Sequence, residues 1–244
     1  MPDPLLSALS GRLQTARRIT VLTGAGVSRA SGVPTFRGTD GLWKSFRAED
    51  LATRDAFERN PRLVWQWYEW RRGLIASCEP NAAHHALARW TNNRQVTLIT
   101  QNVDGLHERA GSRDLIRLHG SIWHLRCARG CAQGSAAWED RRVALPKLPP
   151  KCPYCDSLAR PAVVWFGETI DATVFERCAR ATDCDAFLSI GTSSLVYPAA
   201  GLVQAAKARG ALTVEINPET TSAGASLDMA IPLAAEQALP QIEI

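Results

Sequence analysis

The sequence predicts an α/β protein whose main domain is a doubly wound parallel sheet, accompanied by a smaller lobe with a metal site and several helices. Three observations support this fold class. Four short apolar runs lack the alternation of a half-exposed strand, small or polar residues follow each run, and helical stretches lie between the runs. Strands that are buried on both faces of a parallel sheet have this pattern.

The runs that predict strands are short and consist largely of β-branched, aliphatic or aromatic residues. They cover 19–22, 96–99, 186–190 and 212–216. Helices are predicted at 175–182 and 198–209, and residues 51–90 are predicted to be helical without contributing a strand to the sheet. Because parallel strands end at one edge of the sheet, ligands of doubly wound folds bind there. The polar residues after the strands mark the expected site.

Two segments interrupt the sheet pattern and are expected to form the smaller lobe. We expect residues 32–91 to be a cofactor loop with a helical module, and residues 121–162, which contain four cysteines, to be a zinc-binding module. The sheet domain then comprises 1–31, 92–120 and 163–244. A cleft between two lobes is a usual place for a binding site.

The composition argues against several classes of protein. The chain has 244 residues, of which 45% are hydrophobic and 21% charged, as is typical of a globular domain and not of a disordered chain. The net charge is +4, but both signs alternate along the chain and form no basic stripe for nucleic acid. No membrane span or signal peptide is apparent. We expect a cytoplasmic monomer that binds neither nucleic acid nor membranes.

Four of the seven cysteines form two close pairs, Cys127 with Cys131 and Cys152 with Cys155. Such pairs predict one Zn²⁺ held by four thiolates, and the alternative is that they are free core cysteines. The C-x3-C spacing of the first pair is wider than the C-x2-C spacing of the second. Four protein ligands leave no open coordination position, so the metal is expected to be structural.

A glycine-containing segment, Gly24-Ala25-Gly26-Val27-Ser28, follows the first predicted strand and predicts the start of a helix. Glycines here allow the backbone to approach a phosphate, although a plain tight turn explains them equally well. The third glycine of the dinucleotide fingerprint is absent, since Arg29 occupies its position. Residues 31–38 predict a loop that closes over a ligand, the alternative being an ordinary surface loop.

Two further groups of side chains are candidates for chemistry. His119 lies where an alternating segment, 115–121, meets Gly120, and it is a candidate general base or a structural histidine. Tyr68 and Arg71 are three residues apart in a predicted helix and therefore share a face. A phenol beside a guanidinium can bind a carboxylate, but an exposed arginine beside a packed tyrosine is the simpler interpretation.

Taken together, these motifs resemble the sirtuin family of NAD-dependent protein lysine deacylases. The resemblance runs in order over almost the whole chain. It rests on Gly24-Ala25-Gly26-Val27-Ser28, Gly32-Val33-Pro34-Thr35-Phe36-Arg37, Thr100-Gln101-Asn102-Val103-Asp104, Leu118-His119-Gly120, the four cysteines, Val164-Trp165-Phe166-Gly167-Glu168, Gly191-Thr192-Ser193 and Asn217. Tyr68 with Arg71 also resembles the Tyr-x-x-Arg pair of class III sirtuins, which prefer negatively charged acyl groups.

The resemblance implies a Rossmann-like sheet domain with a zinc ribbon, NAD as a consumed co-substrate and one structural Zn²⁺. It implies NAD contacts from Gly24, Ala25, Gly26, Ser28, Thr35, Phe36, Arg37, Gln101, Asn102, Asp104, Gly191, Thr192, Ser193, Asn217, Glu219 and Ala235. The implied catalytic residues are His119, Asn102 and Asp104. The acyl-lysine protein substrate is expected at Tyr68, Arg71, Val164, Phe166 and Gly167, with its backbone added as a strand.

The resemblance predicts removal of succinyl, malonyl and also acetyl groups from lysine, yielding nicotinamide, free lysine and O-acyl-ADP-ribose. His119 is the base that accepts a proton from the ribose hydroxyls in this reaction. Two alternatives stay open at this point. One is a mono-ADP-ribosyltransferase that uses the same NAD site, and the other is a non-catalytic module that binds NAD or zinc.

Overall fold

The computed structural model describes residues 3–34, 46–219, 221 and 224–244. Its larger part is a sheet of six parallel strands, and its smaller part contains a three-stranded antiparallel sheet. The strands are β1 (Ile19–Thr23), β2 (Val96–Thr100), β3 (Leu115–Arg117), β4 (Gly120–Cys127), β5 (Trp138–Glu139), β6 (Ala159–Val163), β7 (Ala186–Ile190), β8 (Leu212–Ile216) and β9 (Met229–Ile231). The predicted α/β fold class is confirmed.

The parallel sheet has the strand order β3-β2-β1-β7-β8-β9. The four predicted strands are its four central members, and every residue of β1 and β7 is buried. Val21 packs into the apolar core on one face and its neighbour Leu22 into the core on the other. Burial on both faces explains why these strands show no alternation of polar and apolar residues.

Helices cover both faces of the parallel sheet and form most of the smaller part. They are α1 (Pro4–Thr15), α2 (Gly26–Arg29), α3 (Ala48–Leu51), α4 (Arg54–Arg59), α5 (Pro61–Ser77), α6 (Ala82–Asn93), α7 (Leu106–Arg109), α8 (Ala172–Ala181), α9 (Ala200–Ala208) and α10 (Ala235–Ala238). The core on one face includes residues of α1, α6 and α10, and the core on the other includes residues of α8 and α9. None of the described helices combines the length and apolarity needed to cross a membrane.

The longest described helix, α5, carries the predicted tyrosine–arginine pair. It begins after Asn60, whose side chain accepts a hydrogen bond from the Leu63 N–H, and Pro61 occupies its first turn. These are favourable N-terminal residues, because the cap satisfies a free N–H and proline has none to satisfy. Trp65 and Trp67 are buried in a third apolar core.

That third core joins the two inserted segments. Residues of α3, α4 and α5 pack in it against Ile122, Trp123 and Leu125 of β4 and against Val163 of β6. The antiparallel sheet has the order β5-β4-β6. The boundaries at 31/32, 91/92, 120/121 and 162/163 stay predictions, although one core shared by both insertions agrees with a single smaller lobe.

The segment 115–121 differs from the single alternating strand that its sequence predicts. The parallel sheet takes only Leu115–Arg117, and Gly120 begins a strand of the other sheet. Gly120 has a φ of +80°, and a Cβ there would lie 2.1 Å from the Ala162 carbonyl oxygen. Only glycine fits this crossing, which leaves His119 in the turn between the two sheets.

Candidate active site

A cleft of about 1010 Å³ lies along the carboxyl ends of the central parallel strands. Gly24, Gln101, Gly191 and Asn217, which follow β1, β2, β7 and β8, line one part of it. Side chains of α5 and the segment 163–168 line the other part. The cleft therefore lies at the predicted edge of the sheet and between the sheet and the smaller part.

Glycines allow the loops after β1 and β7 to touch at the base of the cleft. A Cβ on Gly24 would lie 2.7 Å from the Gly191 oxygen, and one on Gly26 would lie 2.8 Å from both the Gly191 Cα and its oxygen. The Gly26 N–H donates to the Gly191 oxygen at 2.8 Å, and the Gly24 N–H donates to Ile190 at 3.0 Å. The close contact between these two loops is thus a second reason for glycine at positions 24 and 26, in addition to the expected approach of the backbone to a phosphate.

A buried hydrogen-bond network supports this loop from behind. The Asn102 side-chain N–H groups donate to the Gly24 oxygen at 3.0 Å and to the Ser28 hydroxyl at 3.1 Å. The Ser28 hydroxyl in turn donates to Asp104 at 2.8 Å. Both N–H donors of Asn102 are used within the protein, so its side-chain oxygen is what it can offer a ligand.

His84 completes the network, a contact that the sequence analysis does not predict. Its Nδ1 accepts from the Asn81 N–H at 3.2 Å, so Nε2 carries the proton and faces the Ser28 hydroxyl at 3.4 Å. Burial, followed by the nearby His85, lowers the pKa of His84 to about 4. Ser28 and Asp104 are buried and lie behind the cleft wall, not on its surface.

His119 lines the cleft at the turn between β3 and β4. Its Nδ1 lies 3.1 Å from the Gln101 carbonyl oxygen, which can only accept a hydrogen bond. In the neutral ring Nδ1 therefore carries the proton, and Nε2 has a lone pair. Burial lowers the pKa of His119, with the hydrogen bond from its ring to Gln101 acting in the opposite direction. The imidazole is neutral at pH 7 and able to accept a proton at Nε2.

Residues that follow β2, β7 and β8 shape another part of the cleft. The Gln101 side chain donates to the Thr192 hydroxyl at 3.0 Å, and the Asn217 side chain donates to the Thr192 carbonyl at 3.2 Å. The cleft lining here also includes Ala25, Gly191, Ser193, Glu219 and Ala235. The hydrogen bonds through Thr192 hold together the loops that follow β2, β7 and β8.

Tyr68 and Arg71 both line the cleft from α5. The simpler interpretation of an exposed arginine is wrong, because Arg71 is only partly accessible and stacks on the Trp67 ring at 5.2 Å. Tyr68 is buried apart from 2% of its surface, and its hydroxyl accepts a hydrogen bond from the Trp165 indole at 2.8 Å. Burial raises the pKa of Tyr68 to about 12, so the phenol stays protonated.

An extended segment with exposed apolar side chains borders the mouth of the cleft. The Val164 N–H donates to the His119 oxygen at 3.0 Å, and the Phe166 N–H donates to the Ala52 oxygen at 2.9 Å. Gly167 follows with a φ of +83°. Phe166 is 44% exposed, and Tyr197, which also lines the cleft, is 79% exposed. Such partly apolar edges are suited to an extended peptide.

The four predicted metal ligands come together at one end of the antiparallel sheet. Their Sγ atoms all lie within 4.8 Å of one another, with 3.5 Å between Cys127 and Cys155 and 3.8 Å between Cys131 and Cys152. Zn–S bonds of about 2.3 Å in a tetrahedron require sulfur separations of about 3.8 Å. The cluster therefore fits one Zn²⁺, in agreement with the prediction.

Most predicted site residues line the same cleft. Thr35, Phe36 and Arg37 lie outside the described residues. The sequence does not predict the contacts of Trp165 and His84. Trp165 lies in the motif 164–168, which indicates no partner for its side chain. His84 is three residues after its capping partner Asn81, which is only a weak signal. Trp165 and His84 contact residues that are distant in sequence, Tyr68 and Ser28, so local spacing does not reveal these contacts.

Comparison with known proteins gives matches over nearly the whole chain. The model of the Sir2 family matches residues 24–198. A relative from Aquifex aeolicus named NAD-dependent protein deacylase is 49% identical over 213 residues, covering 86% of this chain and 87% of the relative.

Two solved structures show the same similarity. The crystal structure of a Sir2 homologue–NAD complex superposes with a TM-score of 0.91 at 41% identity, covering 97% of this chain and 91% of that one. A mutant Sir2 homologue in complex with 2'-O-acetyl ADP ribose has a TM-score of 0.90 at 40% identity, covering 99% and 95% of the two chains.

Proposed function

This chain belongs to the Sir2 family of NAD-dependent protein deacylases, and we propose that it acts chiefly on lysines that carry an acidic acyl group, succinyl or malonyl. The observation that carries this proposal is the position of Tyr68 and Arg71, which line the cleft side by side from one face of α5. NAD is the co-substrate of the enzyme, and its four cysteines suit one structural zinc.

The pair is suited to a carboxylate by charge and by hydrogen bonding. A guanidinium offers paired N–H donors in a plane that matches a carboxylate, and the protonated Tyr68 hydroxyl offers another. Burial lowers the pKa of Arg71, while Tyr68 and Asp104 counter that shift, and the guanidinium stays charged at neutral pH. An acidic acyl group would therefore place a negative charge beside a cation that is largely removed from water.

For the chemical step we propose that NAD lies across the strand ends and that His119 is the general base. The amide oxygen of the acyl-lysine attacks the ribose carbon, and the bond from that carbon to nicotinamide breaks. The acyl carbon is then the carbon of an imidate that is bonded to the ribose through oxygen. His119 Nε2 accepts a proton from the ribose hydroxyls, and the deprotonated hydroxyl attacks this carbon. Water completes the reaction, which gives free lysine and O-acyl-ADP-ribose. The 2'-O-acetyl ADP ribose bound to the similar Sir2 homologue supports this product.

The other site assignments follow from what lines the cleft. We propose that Gly24, Ala25, Gly26, Gln101, Gly191, Thr192, Ser193, Asn217, Glu219 and Ala235 contact NAD, and that Asn102 offers its side-chain oxygen. Ser28 and Asp104 support the loop from behind. The substrate peptide adds as a strand along Val164, Phe166 and Gly167, opposite residues 194–197.

The acyl preference is tested by comparing one peptide with acetyl-, succinyl-, malonyl- or glutaryl-lysine. The wild-type enzyme is expected to have a higher kcat/KM for succinyl- than for acetyl-lysine. Arg71→Met is expected to raise KM for succinyl-lysine about 10- to 150-fold, the equivalent of one charge-assisted hydrogen bond of about 1.5–3 kcal/mol, and to spare acetyl-lysine.

Arg62→Met is the matched control, because Arg62 is an exposed arginine of the same helix that does not line the cleft. Its kinetics are expected to equal those of the wild type. A wild-type preference for acetyl-lysine, or equal losses on both substrates in Arg71→Met, would contradict the proposal.

A further inference from the structure

The Tyr68 hydroxyl is held by a residue of the segment 163–168, which lines the same part of the cleft as α5. The indole N–H of Trp165 donates to it at 2.8 Å, and both side chains are only 2% exposed. A tyrosine hydroxyl has one hydrogen to donate, and here its oxygen already accepts from Trp165. The hydroxyl hydrogen therefore points away from Trp165 and is left for an acceptor elsewhere.

Trp165 is itself fixed on several sides, so its N–H has a defined direction. The Arg160 guanidinium lies 3.3 Å from the centre of the indole ring, and the Phe57 ring lies 5.2 Å away. Arg160 also forms an ion pair with Glu168, which accepts a hydrogen bond from the Trp165 backbone at 3.0 Å. A cation stacked on the indole face is an attractive contact that restrains the ring.

We propose that Trp165 is a positioning residue for acyl selection: it occupies the Tyr68 oxygen, keeps the hydroxyl as a donor toward the acyl group, and thereby selects a carboxylate over a carboxamide of the same shape. This inference rests on the proposed acyl preference and adds to it. Arg71 supplies charge, which any acidic group satisfies, whereas Trp165 determines whether Tyr68 can act as an acceptor.

The carboxamide is the informative competitor. A carboxylate only accepts hydrogen bonds, so it suits a hydroxyl that is left to donate. A carboxamide must also place its own N–H groups, and the Tyr68 oxygen is an acceptor that Trp165 already uses. Leaving a polar group without a partner in a site removed from water is unfavourable, and this is how buried polar sites discriminate between similar ligands.

The experiment measures kcat/KM for a succinyl-lysine peptide and for its carboxamide analogue, and compares their ratio between enzymes. Trp165→Phe removes the N–H and keeps an aromatic ring, and 3-benzothienylalanine at position 165 replaces only the N–H by sulfur. Both are expected to lower the ratio about 3- to 10-fold, as the loss of one neutral hydrogen bond would. A general disturbance of the peptide strand would lower both rates and leave the ratio unchanged.

Trp65→Phe is the matched control, because the Trp65 indole is buried in the same core and donates elsewhere, to the Ala159 oxygen at 2.9 Å. It is expected to retain the wild-type ratio. In a Tyr68→Phe background, which has no hydroxyl to orient, Trp165→Phe is expected to cause no further change.

The outcomes separate this inference from the proposed function. A wild-type preference for acetyl-lysine overturns both. A preference for succinyl-lysine with an unchanged carboxylate-to-carboxamide ratio in both variants at position 165 overturns only the role of Trp165. The role of Trp165 is also overturned if Trp165→Phe changes the ratio as strongly in the Tyr68→Phe background as in the wild type.

Discussion

The neighbour of the proposed acyl-binding arginine, Arg72, is expected to stabilise the fold without reading the substrate. Its side chain is completely buried, and its Nε and Nη2 donate to the Ile122 oxygen at 3.0 and 2.7 Å. Its Nη1 donates to Asp140 at 3.3 Å and to the Arg142 oxygen at 3.1 Å. These bonds connect α5 to β4 and to the chain that follows β5.

The cost of Arg72→Met can be worked out from these contacts. The Ile122 oxygen loses both of its bonds to Arg72, and a buried acceptor without a partner costs about 1–3 kcal/mol. Removing one member of a buried ion pair costs about 3–5 kcal/mol when the other charge is left alone. Asp140 is not left alone, because Arg142 still donates to it at 2.5 Å. We therefore expect a loss of about 2–4 kcal/mol in the free energy of unfolding.

Urea unfolding followed by tryptophan fluorescence measures this loss, with Arg141→Met as the control. Arg141 is 62% exposed and pairs with the surface residue Glu139, so its replacement is expected to change stability by less than about 1 kcal/mol. Arg72→Met is also expected to retain the wild-type ratio of succinyl to acetyl activity. A loss below about 1 kcal/mol, or a changed acyl preference, would refute this account of Arg72.

His119→Ala is expected to lower turnover at least about 100-fold while NAD binding is retained. In the wild type, kcat/KM is expected to fall as the pH drops through the pKa of His119, which burial lowers below 6.5, because the protonated ring cannot accept a proton. Near-normal turnover of the variant would remove His119 from the mechanism. Metal analysis is expected to find one zinc per chain, and less in Gly134→Ala, whose Cβ would lie 2.8 Å from the Cys152 sulfur. Gly11→Ala, with nothing within 4 Å, is the control, and active protein without zinc would contradict a structural metal.

The features that the sequence predicts well depend on short stretches of chain. A fully buried parallel strand loses its polar alternation whatever its neighbours are, so the runs at β1, β2, β7 and β8 predicted strands. Pairs of cysteines at close spacing likewise predict a metal cluster, since each pair folds locally around the ion. Both predictions are confirmed, including the wider spacing between Cys127 and Cys131.

The features that the sequence does not predict are short or depend on tertiary contacts. The edge strand β9 has three residues, too few for a pattern, and the alternating segment 115–121 is divided between β3 and β4 where one strand is predicted. Trp165 meets Tyr68 across 97 positions of the chain, and Arg72 meets Asp140 across 68. Such contacts depend on how the smaller part packs. The sequence could therefore suggest Tyr68 as a substrate contact without suggesting what orients it.

The two ends of the cleft are built from different parts of the chain, and one buried carboxyl connects them. The proposed NAD end rests on contacts among the strand ends, and the proposed acyl end rests on α5 and the segment around Trp165. Asp104 accepts a hydrogen bond from Ser28, which supports the loop after β1, and its charge also acts on Arg71. Burial raises the pKa of Asp104, while hydrogen bonds from Leu106 and Ser28 and the charge of Arg71 counter that shift. In the proposed complex, an acyl carboxylate at Arg71 and the Ser28 hydroxyl behind the loop after β1 would therefore both act on Asp104.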